Sequence, residues 1–105
     1  MIARIWHGWT TPENADDYYQ TLMDFVIPGI EKMNIEGFRK IDVLRRSQEQ
    51  EVEFITIMYF DSIDSIKNFS GEDYETAHVP KEAQKFLKRW DLKSSHYEVL
   101  NSLDF

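Results

Sequence analysis

The sequence predicts an α+β fold in which four antiparallel strands carry helices on one face. Four runs of strand-forming residues are present. Stretches with apolar residues at helical spacing follow the first run and the third. Only a short polar turn separates the second run from the third. The resulting order, β-α-β-β-α-β, is the ferredoxin-like arrangement, and 105 residues suit one such domain over residues 1–105.

The first strand is predicted over residues 2–10, IARIWHGWT, where large apolar groups occupy both alternating faces. The following TTPENADDYYQTLMDFVIPG begins with a capping threonine and a proline that suits the first turn of a helix. Acidic residues lie near the positive end of this helix, and apolar residues recur at helical spacing. Pro28-Gly29 is expected to break or bend the helix.

The middle strands are predicted over residues 38–47 and 52–60, joined by the polar turn SQEQE. A sheet with one face in water would alternate cleanly between apolar and polar residues. The run VEFITIMYF instead places apolar groups on both faces. Both faces of the sheet are therefore expected to be covered.

The second half of the chain predicts two helices and a last strand. Asp61 or Ser62 caps the first helix, and Gly71 ends it. Pro80 opens the second, PKEAQKFLKRW, which has apolar residues on one side and lysines on the other. Residues 92–100, LKSSHYEVL, form the last strand. Because helices cover only one face of this sheet, the simplest cover for the other is a second copy, in a two-fold homodimer packed sheet to sheet.

Composition excludes several classes of function. The net charge of −7 gives no attraction to phosphate backbones, so nucleic-acid binding is not expected. The chain has no cysteine, which excludes disulfides and thiolate chemistry, and no histidines and carboxylates have metal-site spacing. The first residues form no signal peptide, and no run approaches a membrane span, so a cytoplasmic protein without a membrane contact is expected.

The chain resembles the dimeric α/β-barrel proteins of the antibiotic biosynthesis monooxygenase type over nearly its whole length. The resemblance is carried by MIARIWHGWT with its following proline, by GF before the second strand, by EFITIMYFDSIDSIKNFSGEDYETA, and by HYEVL in the last strand. It implies a pocket between sheet and helices. It also implies a monooxygenase that oxidises an aromatic or enolic molecule without metal, flavin or other cofactor. The alternatives are a non-enzymatic homodimeric binding or structural module and, third, a haem-binding or haem-degrading protein.

Such oxygenation needs a base and an apolar pocket for a flat substrate. The candidate bases are the three histidines, because histidine exchanges protons near neutral pH: His78, His7 and His96. The candidate substrate-binding residues are aromatic: Trp6, Trp9, Phe54, Phe69 and Tyr19.

Each histidine also has a plainer interpretation. His78 follows Ala77, and in the haem-degrading relatives a histidine after an alanine in this loop binds the iron. Phe69 stands where those relatives have a tryptophan, and His7 falls at or near their first-strand asparagine. His78 otherwise caps the next helix in solvent. His7 and His96, if they share a face of the sheet, suit a proton relay, or else they pack in the dimer interface. Arg4 and Glu98 are expected to form a cross-strand pair.

Overall fold

A computed structural model describes all 105 residues. Its single antiparallel sheet contains β1 (Ile2–Thr10), β2 (Phe38–Ser47), β3 (Val52–Phe60), β4 (Leu87–Trp90) and β5 (Ser95–Glu98). The strand order is β2-β3-β1, and β4 and β5 both pair with the remaining edge of β1. The helices lie on one face. The predicted ferredoxin-like order is confirmed, with five strands in place of four.

The first helical region runs without interruption from α1 (Ala15–Thr21) through a π-helical turn (Leu22–Val26) into α2 (Ile27–Lys32). The predicted interruption at Pro28 is absent. Proline removes one backbone donor and crowds the preceding turn. Here the wider π turn comes just before Pro28, and Ile27 N–H bonds back to the Leu22 carbonyl. The helix ends instead near Asn34, which adopts a positive φ of 49°.

The predicted hairpin and the helix after it are confirmed. β2 and β3 pair along their whole length, and Gln48 N–H bonds to the Glu51 carbonyl in the turn. α3 (Ile63–Ser70) begins at Ser62, whose hydroxyl accepts from Ser65 N–H. Gly71 ends α3 with a φ of +86°, a conformation that glycine adopts without the cost other residues meet.

The predicted helix from Pro80 to Trp90 is wrong beyond its first turn. α4 spans only Lys81–Gln84, and β4 then pairs with Gly8–Thr10 of β1. The reason lies in the sheet edge. β5 covers β1 only over Ile2–Ile5, so the rest of this edge has free backbone groups that a new strand satisfies. The last strand is also shorter than predicted.

The apolar core lies between the sheet and the helices. Its larger part joins β1 and β3 to the first helix, with Tyr18 packed edge-on against Phe54 at 4.9 Å between ring centroids. A smaller part surrounds Met58, Phe60 and Ile66. No helix is both long enough and apolar enough to cross a membrane.

The opposite side of the sheet, here called the open face, is covered by no element of the chain. Its apolar and aromatic members are half-buried or exposed: Ile5, Trp9, Leu44, Ile55, Ile57, Tyr59 and Tyr97.

Candidate functional site

A pocket opens between the helix-facing side of the sheet and the first helix. It has two connected parts: an inner cavity of about 80 Å³ and an outer groove of about 460 Å³. Both parts share five lining residues, which therefore form the passage between them: Val26, Ile30, Phe69, His78 and Pro80. Ligand sites usually start at about 300 Å³. The inner cavity alone is smaller than that, so a ring-sized ligand must extend into the groove.

Sheet and helix each supply one wall of the inner cavity. Arg4 and Trp6 point into it from β1, because alternate residues of a strand share a face. Leu22 and Val26 come from the two ends of the π turn. π turns recur at functional sites, and this one places two apolar side chains over the cavity without ending the helix.

Trp6 takes up its position because residue 8 is glycine. Its indole N–H donates to the Asp91 carbonyl at 2.9 Å. A side-chain carbon at Gly8 would lie 2.6 Å from Cη2 of the indole and 2.9 Å from Cζ3. The indole of Trp6 therefore occupies the space that a side chain at residue 8 would need. The close contact with Gly8 fixes the position of the indole in the cavity wall.

Arg4 is the one charged residue among the buried side chains, at 4 % exposure. Its guanidinium donates to the carbonyls of Tyr74 and Thr76 and to the Ser70 hydroxyl. No carboxylate pairs with it. Burial lowers the pKa of Arg4 to about 10, which still leaves it charged at neutral pH. The expected pair with Glu98 does not form, because Glu98 pairs with Ile2 and His96 lies opposite Arg4.

His78 lies at the passage between the cavity and the groove, and it is exposed. Its Nε2 is 3.3 Å from the carbonyl oxygen of Ser70. A carbonyl oxygen only accepts, so Nε2 carries the proton and Nδ1 is the nitrogen left to take one up. Of the three candidate bases, His78 is the one on the pocket wall.

His96 stands beside the pocket. Arg4 Nη1 donates to its Nε2 at 2.9 Å, so this ring is neutral and its basic nitrogen is occupied. Burial, and then the charge of Arg4, lower the pKa of His96. Tyr74 packs edge-on against the ring at 5.2 Å.

His7 lies on the open face, and this corrects the expectation that it shares a face with His96. His96 pairs with Arg4, and residues 4 and 7 of one strand point to opposite sides of a sheet. His7 Nδ1 is 2.7 Å from a Glu53 carboxylate oxygen, and its ring stacks on Trp9. A relay between His7 and His96 is therefore excluded by geometry within one chain.

Some of the candidate substrate-binding aromatics lie at the pocket and others do not. Trp6 and Phe69 line the pocket. Trp9 lies on the open face under Arg89, and Phe54 is fully buried in the core. Tyr19 is 43 % exposed, whereas Tyr18 is 2 % exposed and lines the cavity. Of the two adjacent tyrosines, Tyr18 therefore faces the sheet and Tyr19 does not.

The sequence analysis missed Arg4 as a pocket residue, although alternate residues of a strand share a face and Arg4 therefore shares one with Trp6 and Gly8. An arginine on a face that also carries a tryptophan and a glycine was the available signal. It also missed two hydroxyl groups of the inner cavity, Thr56 and Ser94. Nowhere in the chain do three or more histidine, aspartate or glutamate side chains converge in a way that could hold a metal ion.

No protein-family profile and no curated protein matches the chain. Solved structures do. A Bacillus cereus protein named as a candidate antibiotic biosynthesis monooxygenase superposes with a TM-score of 0.71, at 18% identity, over 100% of this chain and 96% of its own. The haem-degrader MhuD of Mycobacterium tuberculosis, solved with two haems in its active site, gives 0.62 at 14% identity, over 99% and 100%. A dimeric ferredoxin-like protein from an uncultured marine organism gives 0.61 at 13%, over 99% and 98%.

The fold is thus ferredoxin-like and is shared with these solved structures, and the predicted resemblance is confirmed for the fold. At these identities the likeness is one of fold. A shared fold does not fix function, which depends on the residues of the pocket itself.

Proposed function

We propose that this protein is a small monooxygenase that binds a flat aromatic or enolic molecule in the pocket and oxidises it with molecular oxygen, without a cofactor. The position of His78 carries the proposal. It is a histidine with a free basic nitrogen at the passage between an apolar cavity and an open groove. Most of the cavity wall is apolar, which suits a planar substrate and limits water.

This reaction needs only one base from the protein. His78 Nδ1 removes a proton from an activated CH₂ group of the substrate. The carbanion gives one electron to O₂, and the resulting substrate radical and superoxide combine into a peroxide. The peroxide anion takes the proton back from His78, and loss of water from the neutral peroxide leaves a carbonyl, so that CH₂ and O₂ become C=O and H₂O. Oxygen is the only oxidant in this balance.

The test is oxygen uptake with a panel of hydroxylated polycyclic substrates, measured on protein whose absorption spectrum is free of flavin and haem. We expect uptake that matches substrate loss one to one. His78→Asn should lower the rate by about a hundredfold or more, the usual range for a general base. His7→Gln is the matched control, because His7 lies on the other side of the sheet, and it should retain the rate. Loss of the rate in both variants, or in neither, contradicts the assignment of His78.

Haem binding is the second candidate, and the same histidine favours it. His78 follows Ala77 at the wall of a groove of about 460 Å³, and a neutral imidazole is a common haem ligand. In this structure Nε2 bonds to the Ser70 carbonyl, so Nδ1 would have to hold the iron unless the ring turns. Titration with haemin decides the matter. A saturable shift of the Soret band that His78→Asn abolishes supports haem binding and weighs against cofactor-free oxygenation.

The third candidate is a dimeric binding module without activity. The open face supports the dimer in every one of these proposals, because its exposed apolar groups need a cover. Saturable binding of aromatic ligands with no oxygen uptake and no Soret shift would favour this candidate.

A further inference from the structure

The one buried charge of the chain has no part in the proposed oxygenation step. Arg4 lines the inner cavity, and it has no carboxylate within reach. Its four hydrogen bonds all come from Nη1 and Nη2, and none involves Nε. Neutral carbonyls, a hydroxyl and a neutral imidazole surround it. They satisfy its four Nη N–H donors but do not balance its charge.

We propose that Arg4 recognises the ligand, and that the ligand is a planar organic acid whose anionic oxygen enters the inner cavity. This inference rests on the proposed use of the pocket for a flat molecule. It adds the class of ligand: an aromatic or enolic ring that carries a carboxylate or an enolate.

The inner cavity and the outer groove differ in size, and each fits one part of such a ligand. A carboxylate group is small enough for a cavity of about 80 Å³, and a fused ring is not. The ring then lies in the outer groove, where Phe69 and Pro80 provide flat apolar surface. Thr56 and Ser94 also line the inner cavity, and hydroxyl groups can donate to an anionic oxygen.

The field of the whole protein does not explain a preference for acids. The net charge of −7 repels anions at long range. Any preference must therefore come from a local positive group. Inside the pocket that group is Arg4, because its lining residues include no other arginine or lysine except Lys32 at the outer groove.

The experiment compares 2-naphthoate with 2-naphthamide, which have the same ring and nearly the same shape but differ in charge. Binding is followed by calorimetry on the whole chain at neutral pH. We expect the acid to bind about tenfold tighter or more, since hydrogen bonds to charged groups exceed neutral ones. The enolate 2-hydroxy-1,4-naphthoquinone then shows whether a carboxylate or an enolate oxygen is preferred.

Variants assign the preference to a residue. Arg4→Gln should abolish the preference for the acid and leave the amide affinity nearly unchanged, whereas Arg4→Lys should keep part of the preference. Arg45→Gln is the matched control. Arg45 is another arginine of the sheet, 5.6 Å from the centre of the Phe54 ring, but it does not line the pocket, so the preference should persist.

The outcomes separate this inference from the proposed function. Equal binding of acid and amide overturns the role of Arg4 while the aromatic pocket stands. Saturable binding of neither probe removes the pocket function and this inference together. If Arg4→Gln does not fold, the comparison of the two probes on the unchanged chain and on Arg4→Lys still decides.

Discussion

Adding one methyl group at Gly8 tests how the pocket wall is held. In Gly8→Ala the new carbon would lie 2.6 Å from Cη2 of Trp6 and 3.3 Å from Cδ2 of Leu87. Carbon atoms in contact normally stay about 3.5–4.0 Å apart. The indole must therefore move by about 1 Å. Its N–H is tied to the Asp91 carbonyl, so the movement strains or breaks that bond.

The cost follows from overpacking a filled site. Extra methylene-sized groups in a packed core usually cost about 1–3 kcal/mol. In a domain of this size each kcal/mol lowers the melting temperature by about 4–8 °C. Urea unfolding followed by far-UV circular dichroism measures the loss, because fluorescence would change with Trp6 itself. Ligand affinity should fall as well, since the displaced indole narrows the inner cavity.

A double-mutant cycle tests the cause. Phenylalanine lacks the outer indole atoms that meet the new carbon, so in a Trp6→Phe background the cost of Gly8→Ala should fall below about 1 kcal/mol. Gly29→Ala is the control. Gly29 is exposed within α2 with nothing within 4 Å of an added carbon, so the change should stabilise the helix by about 0.5–1 kcal/mol. An undiminished Gly8→Ala penalty in the Trp6→Phe background would refute the packing argument.

Three further predictions concern other parts of the molecule. Gly37→Ala should lose more stability in urea unfolding than Gly71→Ala: both have φ near +87°, but only at Gly37 does the added carbon meet Ser65 Oγ, at 2.1 Å. Equal losses would contradict the clash. The lowered pKa of His96 disfavours its protonation in the folded state, so this contribution to stability is present above about pH 6.5 and is lost as pH falls. His96→Gln should flatten the decline in melting temperature between neutral and mildly acid pH, and an unchanged slope would exclude His96 as its source. Ile57→Lys on the open face should convert a dimer to a monomer in sedimentation, whereas Met23→Lys on the helix surface should not.

The strands with a clear pattern could be predicted from the sequence, and those set by their neighbours could not. β1 and β3 are continuous nine-residue runs of strand-forming residues with apolar groups on both faces, and their predicted bounds agree with the structure. The run FLKRW is short enough to suit either a helix or a strand. Its conformation depends on a free stretch of β1 that becomes apparent only when β5 is in place.

Some residues that line the pocket could be predicted from the sequence, but their arrangement could not. Trp6, Phe69 and His78 lie at the pocket as predicted. Tyr19 does not, because adjacent tyrosines on a helix differ by about 100° in direction, and sequence spacing alone did not settle which of the two faces the sheet. His7 and His96 were separated by strand register, where a shift of one residue reverses the face.

Arg4 connects the sheet, the loop that carries His78, and the end of α3. From the sheet it bonds the carbonyls of Tyr74 and Thr76, in the loop that carries His78. It also reaches the hydroxyl of Ser70, whose carbonyl accepts from His78. A buried charge without an opposite charge costs several kcal/mol in desolvation, and apolar groups of similar size usually serve stability as well or better. A neutral side chain with two donors could hold the same carbonyls. The charge is therefore explained better by the proposed anionic ligand in the cavity than by the loop that Arg4 holds.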